Sequence, residues 1–228
     1  MILNLFSKMK KSGLDGNVFG VKWTVDSGSA LTRLTSSNDP YNYVNVDITT
    51  EPNPANFTSP FDHYMPWSGM TEYYSNGASP VKWAGGTSYY SYLHYLVYIP
   101  TFYYKIIKID NTWYYYISDE PNSEAGFTVH PGSNRYIGKY LSGIDYDSGE
   151  TYGSWVIKSK TDLPCMGYYL NDISSSAYQV FEDHKGYLCD IATRFAVMLL
   201  YLIEYANWNA RQKIGVSDYH NLESDGNT

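Results

Sequence analysis

The residues of this 228-residue chain that could do chemistry fall in a few acidic clusters and among five histidines. Glu120-Pro121-Asn122 sets a carboxylate and an amide oxygen on one short turn, oxygens that suit calcium. Calcium takes roughly six to eight oxygens, so the triplet would need further ligands. The same triplet recurs at Glu51-Pro52-Asn53, so this composition produces it readily, and a hairpin-exit turn is the plainer reading. Asp145-Tyr146-Asp147-Ser148-Gly149-Glu150 resembles half a calcium loop but lacks the glycine and the closing glutamate of an EF-hand. A solvated loop fits it better. His63, His94, His130, His184 and His220 show no HxH or HExxH spacing. His130 stands before Pro131 at a strand end, where a hydrogen-bonded structural histidine is expected. No GxSxG, P-loop or GxGxxG motif occurs. The expectation is therefore a chain that is not an enzyme, with no catalytic residue, no metal site and no cofactor.

The chain holds 16 Lys and Arg against 23 Asp and Glu, a net charge of −7. With no basic run, phosphate-backbone binding is disfavoured, so no nucleic-acid partner is expected. The longest apolar stretch, Phe195 to Ile203, is too short to span a bilayer, so no membrane insertion is expected. Cys165 and Cys189 make no CxxC or Cys/His metal spacing. Two free buried thiols are favoured, and a bridge between them stays open.

Tyrosine is the outlying residue, with 26 copies. It offers large contact area, little rotamer entropy and a polar tip, which suits binding surfaces. It also fills β-strands. The stretch Tyr89 to Ser118 reads as one tyrosine-rich hairpin, with strands over Leu93–Ile99, Phe102–Ile109 and Thr112–Ser118. Asp110-Asn111 is its turn, and Pro100 marks an edge or bulge.

Other elements follow from pattern. Phe19–Val25, Phe127–His130, Arg135–Leu141 and Trp155–Ser159 read as short strands. Thr35–Pro60, Ser75–Gly86 and Gly143–Ser154 read as loops. Pro60–Met70, dense in aromatics and prolines, reads as irregular but packed. Ser174–Lys185 and a run from Asp190 to about Asn207 read as helices, the second apolar almost all round and so destined for a core. Arg194 and Glu204 lie about 80° apart on it, which argues against a direct ion pair. Strands, a helix pair and long polar loops give an α+β class.

An ordered series of segments resembles a family of phage and prophage tail-associated proteins with a C-type-lectin-like fold. The segments are Phe19–Trp23 with Ala30–Leu34, Met65–Met70, Val97–Lys105, Ile117–Pro121 with Gly126–Pro131, Tyr136–Tyr140, and Leu199–Ala206 running to Gly215. The resemblance implies a C-type-lectin-like domain over 18–215, with short antiparallel strands and two helices. A tether or short helix over 1–17 and a tail over 216–228 flank it. The resemblance also implies that Ser-Asp-Glu-Pro is a structural hairpin exit. C-type lectins complete a calcium triplet with Trp-Asn-Asp, and the nearest counterpart, Trp208-Asn209-Ala210, lacks the carboxylate. Relatives continue past the helix with Gly-, Trp- and Asn-rich segments, so the domain is expected to be C-terminally incomplete, as a fragment or with the distal part lost or replaced. Formylglycine-generating enzymes share the fold but need a closely placed reactive cysteine pair, unlike Cys165 and Cys189.

The function implied is non-enzymatic. It is a virion protein of the tail or fibre tip, assembled in the bacterial host cytoplasm, that binds a host cell-surface glycan or protein. A structural virion component that contacts only other virion proteins is the alternative. A homo-oligomer is expected in either case. The expected ligand-binding residues are Tyr89, Tyr90, Tyr92, Tyr146, Tyr152 and Trp155, in or beside loops outside the core strands.

Overall fold

In the computed structural model, the residues described are 13–75, 81–82, 94–139, 142–146, 155–159 and 190–214. Their elements in chain order are β1 (Val18–Thr24), β2 (Thr32–Arg33), β3 (Thr71–Ser75), β4 (Val81–Lys82), β5 (His94–Ile99), β6 (Tyr103–Ile109), β7 (Thr112–Ser118), β8 (Thr128–Val129), β9 (Arg135–Gly138), β10 (Ser142–Tyr146), β11 (Trp155–Ser159), α1 (Ile191–Tyr205) and α2 (Ala210–Ile214). All the strand pairs are antiparallel, and the class is α+β. The chain divides into two compact units. One comprises Met1–Gly69, Pro100–Ser133 and Ile191–Gly215; the other comprises Met70–Ile99, Asn134–Asp190 and Val216–Thr228.

The first unit is built on a five-stranded sheet in the order β2-β1-β7-β6-β8. β1 lies along the whole of β7, from Val18 opposite Ser118 to Thr24 opposite Thr112. β7 returns along β6 through the two-residue turn Asp110-Asn111, where Asp110 takes the left-handed conformation that tight hairpins require (φ 50°). Successive residues of β7 face opposite sides, and both sides are covered. Tyr116, with no exposed surface, packs with Val18, Leu34, Val44 and Phe127. Gly20 permits this, because a Cβ there would come within 2.9 Å of both the Tyr116 ring and Leu34. On the other side Tyr115, 8% exposed, meets Trp208 at 6.0 Å between ring centroids. α1 packs against β7 and β1.

Two polar groups fix the connections of this unit. Asp39, 5% exposed, accepts the backbone N–H groups of Tyr41, Tyr43 and Val44 and the Tyr116 hydroxyl at 2.7 Å. The loop from Thr35 onward is thereby wrapped onto the sheet. Arg33 donates to the carbonyls of Ile203 and Glu204, at 2.6 Å each, in the last turn of α1. A cation there complements the helix dipole and satisfies end carbonyls. Its guanidinium lies over the Phe61 ring at 5.2 Å. Phe61, Phe19, Tyr64 and Trp67 form an aromatic cluster with centroid spacings of 4.7 to 5.4 Å. The Pro60–Met70 segment is thus irregular and packed, as its composition suggested; its Met65-Pro66 bond is cis.

The second unit holds a four-stranded sheet in the order β4-β3-β5-β9 and a two-stranded hairpin of β10 and β11. Several sequence expectations change here. Tyr89–Ser118 is not one hairpin: β5 belongs to the four-stranded sheet, and Pro100 opens the return into the five-stranded one. Gly143–Ser154 is not wholly a loop, because its first residues pair with β11. Ser75–Gly86 likewise begins in β3 and contains β4. α1 is not buried all round. Ala196, Leu199, Leu200, Leu202 and Ile203 are buried, while Ile191, Val197 and Met198 are 83%, 40% and 37% exposed. Its inner face meets the sheet, and apolar residues on the outer face have nothing to do with that contact. The expected helix over Ser174–Lys185 and both cysteines lie outside the described residues.

The wrapping of the 35–47 loop depends on Asp39. Removing its carboxylate leaves three backbone N–H groups and one phenol without their acceptor. Each such loss costs about 1–3 kcal/mol. Asp39→Ala should therefore lower stability by about 3 kcal/mol or more in urea unfolding. Asp47→Ala, which frees only the exposed Ser36 amide and hydroxyl, should lose about 1 kcal/mol or less.

Candidate functional site

The Glu120–Asn122 triplet is committed to structure. The Asn122 amide oxygen accepts the N–H of Asp15, and its nitrogen donates to Asp15 O and Ser118 Oγ, each at 2.9 Å. Asp119 accepts both the backbone N–H of Asn17 at 2.6 Å and its side-chain amide at 2.7 Å. These bonds tie the segment before β1 to the exit of β7. The oxygen a calcium ion would need on Asn122 is already engaged. The other triplet is engaged too: Asn53 Oδ1 accepts Ala55 N–H, and Glu51 faces Arg33 at 3.7 Å and Lys213 at 3.4 Å. Asn209 accepts the N–H of Gln212 at 3.1 Å, as a helix N-cap does at the start of α2. Among the described residues, no three His, Cys, Asp or Glu side chains converge on a metal position.

His130 is 1% exposed at the end of β8. Its ring lies among Phe102 at 4.9 Å, Tyr104 at 4.7 Å and Phe195 at 5.0 Å. Nδ1 accepts the Gly132 N–H at 3.1 Å, which places the ring proton on Nε2. Nε2 has no hydrogen-bond partner. Burial pushes the imidazole down to about 4, so it stays neutral and uncharged at physiological pH. The hydrogen-bonded histidine read from the sequence is present, on one of its two nitrogens.

Glu204 is a half-buried ionisable group of the first unit. Burial and the charge of Asp62 push its carboxyl above the usual range, and Ser59 and Arg33 draw it back. Arg33 remains charged although burial lowers it. The pair sits at the C-terminal end of α1. A cavity of about 10 Å³ beside it, lined by Phe19, Leu34, Phe61 and Ile203 among others, has room for about one water. No reacting group could enter it.

An open surface of a different kind occurs on the four-stranded sheet. Tyr98 of β5 is directly opposite Tyr136 of β9 and Thr71 of β3, and Tyr73 shares their face by the two-residue strand period. The three tyrosine rings meet edge-on or tilted. Tyr73 and Tyr136 are 4.9 Å apart, Tyr98 and Tyr136 5.2 Å, and Tyr73 and Tyr98 6.2 Å. Tyr136 is 43% exposed, on the edge strand. The Tyr98 hydroxyl donates to Asn134 Oδ1 at 2.5 Å. Burial raises the Tyr136 phenol, as do its two tyrosine neighbours, so it stays protonated near neutral pH. The opposite face of β5 carries the buried Tyr95 and Ile99. The sheet thus presents a braced cluster of phenols.

Of the residues expected to bind ligand, Tyr146 and Trp155 are direct cross-strand partners in the β10–β11 hairpin. Tyr89, Tyr90, Tyr92 and Tyr152 lie outside the described residues. Sequence reading passed over Tyr73, Tyr98, Tyr136 and Asn134. Tyr98 and Tyr136 fell in segments assigned to core strands, and their proximity depends on a register that no local pattern states.

Two outcomes test these assignments. Unfolded His130 takes up a proton near pH 6.5, whereas the folded ring resists until about pH 4. In that window the unfolded chain binds more protons, so stability falls as the pH drops, by about 3 kcal/mol for this group. The stability of His130→Phe relative to the parent should therefore rise steadily from pH 7 to pH 4 in denaturant titrations. Asn122→Ala should cost about 2 kcal/mol by freeing the Asp15 and Ser118 partners. Millimolar calcium should leave the melting temperature of the parent unchanged in scanning calorimetry.

Comparison of the chain with family models, with curated proteins and with solved structures found no match.

Proposed function

We propose that the chain is a non-enzymatic phage virion protein, of the tail or fibre tip, with a C-type-lectin-like fold, and that it holds a host cell-surface ligand against the tyrosines of its second unit. The observation that carries the binding part is the Tyr73–Tyr98–Tyr136 face. Aromatic side chains with low rotamer entropy, braced by one another and partly open to solvent, are what recognition surfaces use as anchors. The placement on the virion rests on the ordered series of segments that resembles tail-associated proteins. The commitment of Asn122 and Asp119 to the exit of β7 agrees with that resemblance, in which the same segment is a structural hairpin exit. Among the described residues, Asp39, Asn122 and Arg33 are engaged in holding loops and a helix end, which supports a binding role over catalysis.

The reading predicts that Tyr136→Ala and Tyr98→Ala each weaken adsorption of the purified full chain to host cells by about tenfold or more. That corresponds to the loss of about 1.4 kcal/mol or more from an interface anchor. Tyr41→Ala, a change in the first unit, serves as a control, and unfolding by circular dichroism reports whether each variant remains folded. Unchanged adsorption by folded Tyr136→Ala and Tyr98→Ala would remove the tyrosine face from the binding site.

A further inference from the structure

We infer that the Tyr73–Tyr98–Tyr136 face is a subsite for a saccharide ring, stacked on Tyr136 and hydrogen-bonded to Tyr98 and Asn134. This rests on the reading of the chain as a binding protein and names the chemistry of its ligand. The ring of Tyr136 is held on two sides. Tyr73 meets it edge-on, at 78° and 4.9 Å, and Tyr98 meets it tilted, at 48° and 5.2 Å. The ring is therefore fixed before any ligand arrives, while 43% of the residue remains accessible. A fixed aromatic plane suits the C–H face of a pyranose, and little ordering entropy is lost on contact.

The polar groups around the ring sharpen the choice. Tyr98 commits its proton to Asn134 Oδ1. The Tyr98 oxygen thus keeps acceptor capacity, and the Asn134 amide keeps two donor hydrogens. That nitrogen has no hydrogen-bond partner among the described residues. A saccharide hydroxyl donates and accepts at once, so neighbouring hydroxyls of one ring can satisfy both. A purely apolar peptide side chain would bury these groups unpaired, at a cost. The strand alternation places Thr71, Tyr73, Leu96, Tyr98 and Tyr136 on this face, and the hydrogen bond from Tyr98 brings Asn134 beside them. Lys82 of β4, directly opposite Tyr73, shares this face, while Glu72 and Lys139 belong to the opposite strand parity and pair with each other at 2.5 Å. Lys82 offers a cation to a sulfated or carboxylated sugar, so the face suits a saccharide of either charge class.

One ring on one subsite binds weakly, so the measurement uses multivalent probes. The full chain is passed over immobilised neutral polysaccharides (dextran, mannan and galactan) and over heparin and polysialic acid, and retention is read by biolayer interferometry. Retention on at least one of these polymers is expected. Tyr136→Ala should reduce it about tenfold, while Tyr136→Trp keeps it. Asn134→Gly, which tolerates the left-handed backbone at φ 57°, should weaken it as well. Retention on none of the polymers, or full retention by folded Tyr136→Ala, would overturn the saccharide assignment. A parallel arm measures adsorption to host cell envelopes before and after periodate oxidation of their glycans. Loss on oxidation supports the saccharide. Adsorption that survives oxidation yet fails in Tyr136→Ala means a protein ligand, which overturns this inference while leaving the binding reading intact. No adsorption of the parent chain to untreated envelopes would sink both.

Discussion

Asp39 joins the long loop that follows β2 to the centre of the five-stranded sheet. Its two oxygens take three backbone N–H groups from Tyr41 to Val44 and the hydroxyl of Tyr116. Tyr116 in turn lies over Gly20 of β1, packed with Val18, Leu34, Val44 and Phe127. Burying a carboxylate is costly unless it is fully hydrogen-bonded, and here four donors meet that requirement. The arrangement turns a polar loop, rich in Asn, Ser and Thr, into one wall of the core. The opposite wall is α1, whose last carbonyls are held by Arg33. β1 and β7 lie between the walls, so neither face of the central pair is free for a ligand.

That constraint explains how tyrosine is divided between roles. In the first unit Tyr115 and Tyr116 are core residues, and Tyr41 and Tyr43 stack on each other at 5.7 Å beside them. Their hydroxyls serve the interior: Tyr116 binds Asp39, and Tyr43 accepts a hydrogen bond from Lys105. In the second unit Tyr73, Tyr98 and Tyr136 brace one another on a face that remains partly open. The same residue type fills strands in one place and forms a surface in the other. Composition alone could not separate the two uses.

The legible parts of the fold were those with local signals. The β6–β7 hairpin follows from its alternating strands and the Asp110-Asn111 turn. The helix after Asp190 follows from its apolar run, and the packed segment around Trp67 from its aromatics and prolines. Pairings over long sequence distances were not legible. The strand pattern looks alike on both sides of Pro100, yet β5 pairs with β3 and β9 while β6 pairs with β7 and β8. That choice depends on side-chain fit between distant segments rather than on propensity. For the same reason the partner of Asn122 was invisible: Asp15 is 107 residues earlier. The tyrosine face was missed because it exists only once Tyr98 is set opposite Tyr136.

Tyrosine-directed labelling with mass spectrometry, on the intact chain with and without host cell envelopes, tests the division between scaffold and binding tyrosines most directly. The account predicts that Tyr136, exposed in the free chain, loses reactivity when the chain is bound. It also predicts that the buried Tyr115 and Tyr116 stay unreactive in both states. Unchanged labelling of Tyr136 on envelopes that demonstrably retain the chain would contradict it.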